Sequence, residues 1–341
     1  MRARVHRLAD AHERYPRRPT APNGRAHGDR RPVIRVRVPA TTANLGPGFD
    51  ALGLALRLHN TVTLEEAEEP QIEIEGEGAA ALPRDTTHLA YRGALAVIAS
   101  VRVRGSDSGG ARRGGLPRAF HLRQHNRIPL ARGLGSSAAA IVGGAAAANA
   151  LLGNPLNEQA LVDLAASMEG HPDNVAPAIL GGLVACVTTE AGNIRYTRLV
   201  PKRLRVVVVI PEFAVSTAEA RRLLPEQVPY RDAVFNVTRT ALLVAALAEG
   251  RTDLLDEATR DRLHQPYRAR LVPGLDAVFA AAREAGAHGV ALSGSGPTVV
   301  AFGEAKGIGE AMRRAFEAAG ARCRAIDAEI DSEGTVVEIA S

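Results

Sequence analysis

Between Ile128 and Leu152 the chain reads IPLARGLGSSAAAIVGGAAAANALL, and no other stretch narrows the possible folds as much. After Pro129 come Gly133-Leu134-Gly135-Ser136-Ser137, followed by an almost pure Ala/Gly run. Small residues with a few large apolar ones suit a buried helix that must lie close to its neighbours. Ser136 and Ser137 stand where that helix begins, so its first N–H groups have no intrahelical partner. The two glycines before them let the backbone approach a ligand. Free amides, the positive end of a helix dipole and two hydroxyls together make a phosphate cradle. From the residues alone, a capped Ala-rich core helix after a Gly turn is the other reading.

Two familiar phosphate loops do not fit. A P-loop needs GxxxxGK(S/T), and the only lysines, Lys202 and Lys306, follow no such pattern. A Rossmann fingerprint needs G-x-G-x-x-G after a strand, with an acidic ribose ligand further on. Here Gly133-x-Gly135 continues into Ser-Ser-Ala, and Gly143-Gly144 comes too late. The cradle is of a third kind.

With 341 residues, 46% of them hydrophobic, the chain is globular in composition and longer than one core usually fills, so two lobes are expected. Its net charge of +5 suggests nucleic acid only until the charge is located. Residues 1–31 hold nine Arg against Asp10, Glu13 and Asp29, a net +6 that leaves the remainder at −1. No aromatic residues interleave with basic ones to form a stacking surface, so nucleic acid is not expected as a partner. The leader has no apolar core and is no secretory signal; it reads as a disordered extension. Cys186 and Cys323 lack metal or redox spacing and sit in apolar contexts, as free buried thiols of a reducing compartment do. No apolar run reaches the length of a membrane span, so no membrane is expected and the assignment is cytoplasmic.

Val33–Val38 alternates as a strand and is expected to end at Pro39, with residues 40–50 forming a loop rich in Gly, Pro and small polar groups. An apolar run at Leu52–Leu58 and strands at Thr61–Leu64, Ile72–Ile74 and Phe120–Asn126 follow. A helix is expected over Leu89–Ser100 and a flexible loop over Arg104–Pro117. Asn157–Glu169 is amphipathic and stops at a polar corner, Gly170-His171-Pro172-Asp173-Asn174. Leu204–Ile210 reads as a buried strand. Helices follow near Thr217–Leu224, Ala233–Glu249, Leu275–Ala285 and Gly309–Ala319. Strands flank Ser293-Gly294-Ser295-Gly296-Pro297, and two more finish the chain. Strands and helices mix without βαβ repetition, which favours α+β. The boundaries expected are an extension 1–31, a nucleotide-binding lobe 32–200 and a C-terminal lobe 201–341.

Pro39–Asp50 (PATTANLGPGFD), Pro129–Ala139 (PLARGLGSSAA) and Leu292–Pro297 (LSGSGP) together resemble, in order and content, the GHMP kinases. ANLGPGFD, Glu169–Asn174 with Val175-Ala176-Pro177, Ser216-Thr217-x-x-x-Arg221 and His264-Gln265-Pro266-Tyr267-Arg268 resemble the homoserine kinase family in particular. The resemblance covers about residues 33–340. It implies ATP-dependent phosphorylation of the L-homoserine hydroxyl in threonine biosynthesis. The implied fold has an N-terminal lobe like ribosomal protein S5 domain 2 and a ferredoxin-like C-terminal lobe. A homodimer is the family's expectation.

By the same resemblance, the cofactor-binding loop comprises Pro129, Leu130, Ala131, Arg132, Gly133, Leu134, Gly135, Ser136, Ser137, Ala138 and Ala139, with Arg132 facing either phosphate or solvent. Mg²⁺ falls to Glu169 with Ser136 or Ser137, the hydroxyl–carboxylate pair a hard cation accepts beside phosphate. Asp163 is the reserve carboxylate. Asn44 and Asp50 face the ammonium and hydroxyl end of the amino acid; Arg221 and Arg268 face its carboxylate, with Thr217 alongside. Asn174 stands where mevalonate and galactose kinases carry a proton-accepting Asp, and it cannot take a proton. Asp50 and His171 remain as acceptors, Asp173 orients the corner, and Ser293–Pro297 closes over the site. The other readings are a different small-molecule kinase of the superfamily, where an Asp is expected in place of Asn174, and a non-catalytic ATP-binding regulator.

Overall fold

The computed structural model describes residues 32–108, 116–201, 204–304 and 306–340. The basic leader and residues 109–115 lie outside the described residues. The described residues form one compact unit.

The first strand, β1 (Val33–Ala43), runs through Pro39 to Ala43 instead of stopping at the proline. Pro39 is tolerated because β11 (Val336–Ala340) pairs only with Val33–Arg37, leaving that side of β1 open further along. The register against β2 (Leu52–Ala67) slips between Pro39 and Ala40. The two apolar runs expected after residue 50 are this single strand. Its start pairs with β5 (Leu183–Thr188) and its end with β4 (Ala119–Asn126). With β3 (Gln71–Gly76) parallel to β4 and β6 (Ile194–Leu199) on β5, this gives a seven-stranded sheet, order β11-β1-β2-β4-β3 with β5-β6 branching from β2.

Two helices cover that sheet. The first, α1 (Leu89–Ser108), continues past Ser100 because Val101 still packs on the core and no proline stops it. The stretch Arg104–Ser108 is therefore helical, not loop. The second, α2 (Ser136–Leu151), is the small-residue helix, buried from Ala138 to Asn149. Its composition has a direct cause: a Cβ on Gly144 would lie 1.7 Å from Ala90 O, and one on Gly93 of α1 2.4 Å from Ile141 O. Glycine at both crossings lets the helices approach backbone to backbone.

Next, α3 (Glu158–Glu169) is capped by Asn157, which accepts from Ala160 N, and ends at Gly170 with φ 89°. The polar corner does not remain a turn. It opens α4 (Pro172–Leu180), with Pro172 in the first helical turn, where its missing N–H is harmless. Pro172 and Pro177 hide this helix from propensity.

In the C-terminal part, β7 (Val206–Pro211) precedes α5 (Thr217–Arg222), α6 (Tyr230–Glu249), α7 (Leu255–Ala258), α8 (Gln265–Arg268) and α9 (Leu275–Glu284). There follow β8 (Gly289–Leu292), β9 (Val299–Phe302), α10 (Ile308–Ala318) and β10 (Cys323–Ala328). The antiparallel order β10-β7-β9-β8 with α9 and α10 is the split βαβ arrangement of ferredoxin-like folds. On β7, Val206, Val208 and Ile210 join the main core, while Val207 and Val209 meet Val278, Met312 and Phe316 of α9 and α10. A strand covered on both faces explains the unbroken apolar run. The architecture is α+β with two sheets, and the last strand, β11, returns to the first of them. Cys186 is buried and Cys323 only half-buried; both thiols are free, and burial pushes them up to about 12 and about 11. Among the described residues no helix is long and apolar enough to cross a membrane.

Candidate active site

The loop Pro129–Gly135 turns by positive φ at Ala131, Gly133 and Gly135 (51°, 73° and 67°). A Cβ on Gly133 would lie 2.2 Å from Ser293 O, and one on Gly135 2.0 Å from Thr41 Oγ1. Both glycines are thus required twice, by conformation and by space. The loop is tied from both sides: Thr41 N donates to Leu134 O (3.1 Å), and Ser293 Oγ donates to Gly133 O (2.6 Å). Gly135 is the N-cap of α2 and offers no side-chain cap, so the amides of Ser136, Ser137 and Ala138 have no intrahelical acceptor. Ala138 and Ala139 bury their methyls in the core and can offer only backbone.

Beside this helix end lies a cleft of ≈ 80 Å³ bordered by Ala131, Gly133, Gly135, Ser137, Glu169, His171, Asp173 and Asn174. Asn44, Asp50, Thr217, Arg221, Arg268, Gly294 and Ser295 complete it. Asn44, Asp50, Asn174, Thr217, Arg221 and Arg268 are therefore brought together with Ser137 and Glu169, whereas Ser136 and Asp163 do not border this cleft. A second cleft of ≈ 490 Å³ is bordered by Pro129, Leu130, Ala131 and Arg132 of the loop, together with Gly78, Ile210 and Pro211. Ala131 borders both.

Ser137 Oγ donates to Glu169 Oε1 at 2.5 Å. Burial raises the Glu169 carboxyl above its ordinary range, opposed by the Ser137 bond and by His171. Ser137, not Ser136, is the serine that meets the carboxylate. Asp163 is elsewhere: its Oδ1 accepts from Ile194 N (2.8 Å) and Gln159, anchoring β6. Arg132 is half-buried and tied down by backbone carbonyls. Its guanidinium donates to the carbonyls of Leu130, Pro211 and Glu212, on the side of the second cleft.

At the α4 end, His171 Nδ1 meets Asp173 Oδ1 at 2.7 Å. Burial opposes the imidazolium, but the Asp173 bond and charge, with Glu169 nearby, hold the His171 pKa above its ordinary value. Asn174 Oδ1 accepts from the buried hydroxyl of Thr41 at 2.7 Å.

The loop after β1 supplies Asn44 and Asp50, both with positive φ (72° and 55°). Asn44 is already engaged, its Nδ2 donating to Gly294 O (3.0 Å) and its Oδ1 accepting from Asp50 N (3.0 Å). Asp50 and Arg221 form a two-bond ion pair at 2.7 and 2.9 Å, which raises the Arg221 pKa. Thr217 Oγ1 lies 3.3 Å from Ser295 Oγ.

Arg268 is the most informative side chain. It is 2% exposed, and Nη1 donates to His264 Nδ1 (3.2 Å) and Gly294 O (2.9 Å). Its Nε is buried without a partner. Arg268 borders the cleft, and its Nε/Nη2 edge, the edge that grips a carboxylate with two parallel bonds, has no hydrogen-bond partner within the protein. Burial and the nearby Arg221 push its pKa down to about 10, so it stays charged at neutral pH. Beneath it, His264 Nε2 donates to Gly46 O (2.7 Å), and Phe49 stacks on the imidazole with ring centroids 5.2 Å apart. Both arginines lie over the Phe49 ring. Thr41, Phe49 and His264 were present in the motifs but had no assigned part; only their contacts reveal one.

A model of the GHMP kinase N-terminal domain matches residues 97–182, and one of the GHMP kinase C-terminal domain matches residues 243–321. A homoserine kinase of Moorella thermoacetica is 51% identical over 304 residues, covering 89% of this chain and 99% of its own. One from Carboxydothermus hydrogenoformans is 45% identical, covering 89% and 96%. The crystal structure of homoserine kinase from Cytophaga hutchinsonii superposes with a TM-score of 0.79 at 30% identity, covering 93% of this chain and all of that one. Mevalonate kinase of L. major shares the fold at 16% identity, with a TM-score of 0.64. With such identity along nearly its whole length, on the two-sheet architecture those relatives share, this chain belongs to the homoserine kinase family of the GHMP kinases.

Proposed function

We propose that the chain transfers the γ-phosphoryl group of ATP to the side-chain hydroxyl of L-homoserine, a step of threonine biosynthesis. The observation that carries the reading is the unpartnered Nε/Nη2 edge of buried Arg268, a residue bordering the same cleft as Ser137 and Glu169. An α-amino acid needs a carboxylate clamp and an opposite charge for its ammonium. Arg268 with Arg221 supplies the first and Asp50 the second. The Asp50–Arg221 pair is exchanged as the zwitterion enters, ammonium to Asp50 and carboxylate to the guanidinium. A sugar or a mevalonate lacks one or both charges.

The amides from Gly133 to Ala139 hold the terminal phosphates, and the larger cleft beside Pro129–Arg132 takes the nucleoside end. Ser137 and Glu169 suit Mg²⁺: they are hard oxygens in contact, and no group of three His, Cys, Asp or Glu forms a closed cage among the described residues. When bound, the ion supplies neutralising charge to the β- and γ-phosphoryl oxygens. The alcohol oxygen bonds to the γ-phosphorus as the bond to the bridging oxygen breaks. Asn174 cannot accept the proton, Asp50 is taken by the ammonium, and Asp173 and Glu169 favour the protonated form of His171, so the hydroxyl proton passes to an oxygen of the transferred group. Catalysis then rests on positioning and charge.

The family's homodimer has a surface to match, since Tyr230, Val234 and Val237 stand exposed along α6. The decisive experiment follows ADP release with Mg-ATP and homoserine, mevalonate, galactose or serine. Turnover confined to homoserine upholds the reading, and preference for another acceptor overturns it.

A further inference from the structure

The catalytic asparagine is held by a residue that does not itself border the cleft. Thr41 is wholly buried on β1, and its hydroxyl lies 2.7 Å from Asn174 Oδ1 across 133 residues of sequence. The direction of that bond is settled by the partners. Asn174 Nδ2 lies 3.4 Å from Asp173 Oδ1, and a carboxylate that already takes His171 is an acceptor. The amide must therefore point its NH₂ end towards Asp173, leaving Oδ1 to accept from Thr41. Asp173 borders the cleft and Thr41 does not, so the donor end of Asn174 is the end turned to the ligand. Gly135 locks the arrangement from the third side. A Cβ there would come within 2.0 Å of Thr41 Oγ1 and 3.0 Å of Asn174 Oδ1. The Thr41 amide also bonds Leu134 O, so one residue ties the phosphate loop to the head of α4.

We propose that Thr41 is a positioning residue: its hydroxyl fixes the flip of Asn174, so that Nδ2 donates to the oxygen of the substrate hydroxyl and holds it in line with the phosphoryl group. The inference rests on the homoserine kinase reading only for the identity of the alcohol. With Nδ2 on one lone pair, the alcohol oxygen keeps another for attack. Without the Thr41 bond only the long 3.4 Å contact to Asp173 opposes a flip that presents Oδ1, which would hold the hydroxyl proton and misalign the nucleophile.

The test is a double-mutant cycle on the full-length protein. Thr41→Val keeps shape and β-propensity and removes the hydroxyl. Thr41→Ala removes it with less bulk, and Thr41→Ser restores it. In the wild type, turnover of homoserine is established first; if a different alcohol is the substrate, that failure belongs to the functional reading, and the cycle is run on the alcohol that reacts. Thr41→Val and Thr41→Ala are expected to lower kcat about 10- to 100-fold, the range for loss of a supporting hydrogen bond at a site. KM for ATP and for the alcohol should stay within about twofold, because the phosphate-loop bond from Thr41 is made by backbone. Thr41→Ser should recover most of kcat. In an Asn174→Ala background the Thr41→Val loss should vanish, since Thr41 acts through that side chain. Wild-type kcat in Thr41→Val, no rescue by Thr41→Ser, or full additivity with Asn174→Ala would each overturn the proposal.

Discussion

Replacing Arg268 by Met tests the substrate clamp against a purely structural role. The side chain is 2% exposed, and its Nε/Nη2 edge carries no partner in the fold. Two parallel charge-assisted bonds to a carboxylate on that edge are worth about 3 kcal/mol together, after discounting for water displaced from both partners. That corresponds to roughly a 150-fold rise in KM for homoserine. Stability should respond differently. Met loses the Nη1 bonds to His264 Nδ1 and Gly294 O, about 1 kcal/mol each. It also removes a guanidinium whose burial, next to Arg221, is only partly offset by Asp50, Asp261 and Asp173. Taking an incompletely compensated charge out of the interior returns a few kcal/mol, on the order of what the lost bonds contribute. The thermal midpoint should therefore hold within a few degrees while KM climbs. The assay is ADP release at saturating ATP with homoserine varied, beside a melting curve. A KM change below about threefold, or a KM for ATP that rises in step with a collapsed melting temperature, would refute the clamp and make Arg268 a strut.

Glu169→Gln should lower kcat/KM at least about 10²-fold, because the carboxylate beside Ser137 is lost, yet not destabilise the protein. Burial raises the Glu169 pKa, so wild-type stability declines as pH rises from the ordinary carboxylate range through the raised value. Urea midpoints across pH should show that decline disappear in the variant. For His171→Gln the pH dependence runs in the same direction, because this pKa is raised as well. The His171 pKa is raised by Asp173, so its contribution is full below the ordinary imidazole range and lost as pH climbs through the raised value. The stability gap to wild type should close on the alkaline side, and a gap independent of pH would contradict the pairing. Gly135→Ala should cost at least about tenfold in ATP affinity, measured calorimetrically, since the residue has φ +67° and its Cβ would meet Thr41 Oγ1. The proposed homodimer through α6 predicts a dimer mass for the wild type and a monomer for Val237→Glu in light scattering; a monomeric wild type or an unchanged variant mass would refute that interface.

What the sequence made legible was whatever depends on near neighbours. The cradle at Gly133–Ser137 is a turn followed by a helix start, and both properties are written in a dozen consecutive residues. The apolar run of β7 told that both its faces are covered. That Asp50 and Arg221 belong to one cleft was legible only through family motifs, because they are 171 positions apart and nothing local pairs them. The direction of Arg132 was illegible for the same reason. Its direction is set by the carbonyls of Pro211 and Glu212 at the end of β7, not by the glycines beside it. Asp163 had the right chemistry in the wrong place, since its backbone acceptor role at Ile194 depends on how β6 meets α3. The helix α4 escaped because its two prolines argue against helix in any propensity sum, while Pro172 sits where a helix accepts it.

The strain in the backbone converges on the same cleft. Among the described residues, five other than glycine have positive φ, and Asn44, Leu45, Asp50 and Ala131 surround the site; Asn154 alone is remote. Such conformations persist only where surrounding contacts over-determine them. Those contacts come from the second sheet's side of the molecule. A Cβ on Gly46 would fall 2.1 Å from Thr259 O, Gly294 N donates to Ala43 O, and His264 holds Gly46 O. The loop that brings Asp50 to the cleft is therefore shaped less by its own residues than by α7, α8 and the Ser293–Pro297 turn. A change that loosens those supports, such as His264→Ala, should raise KM for homoserine through Asp50 and Arg268 together while the ATP-binding loop, tied by Thr41 and Ser293, keeps its affinity. Equal weakening of both ligands in that variant would mean that the two halves of the cleft are supported as one.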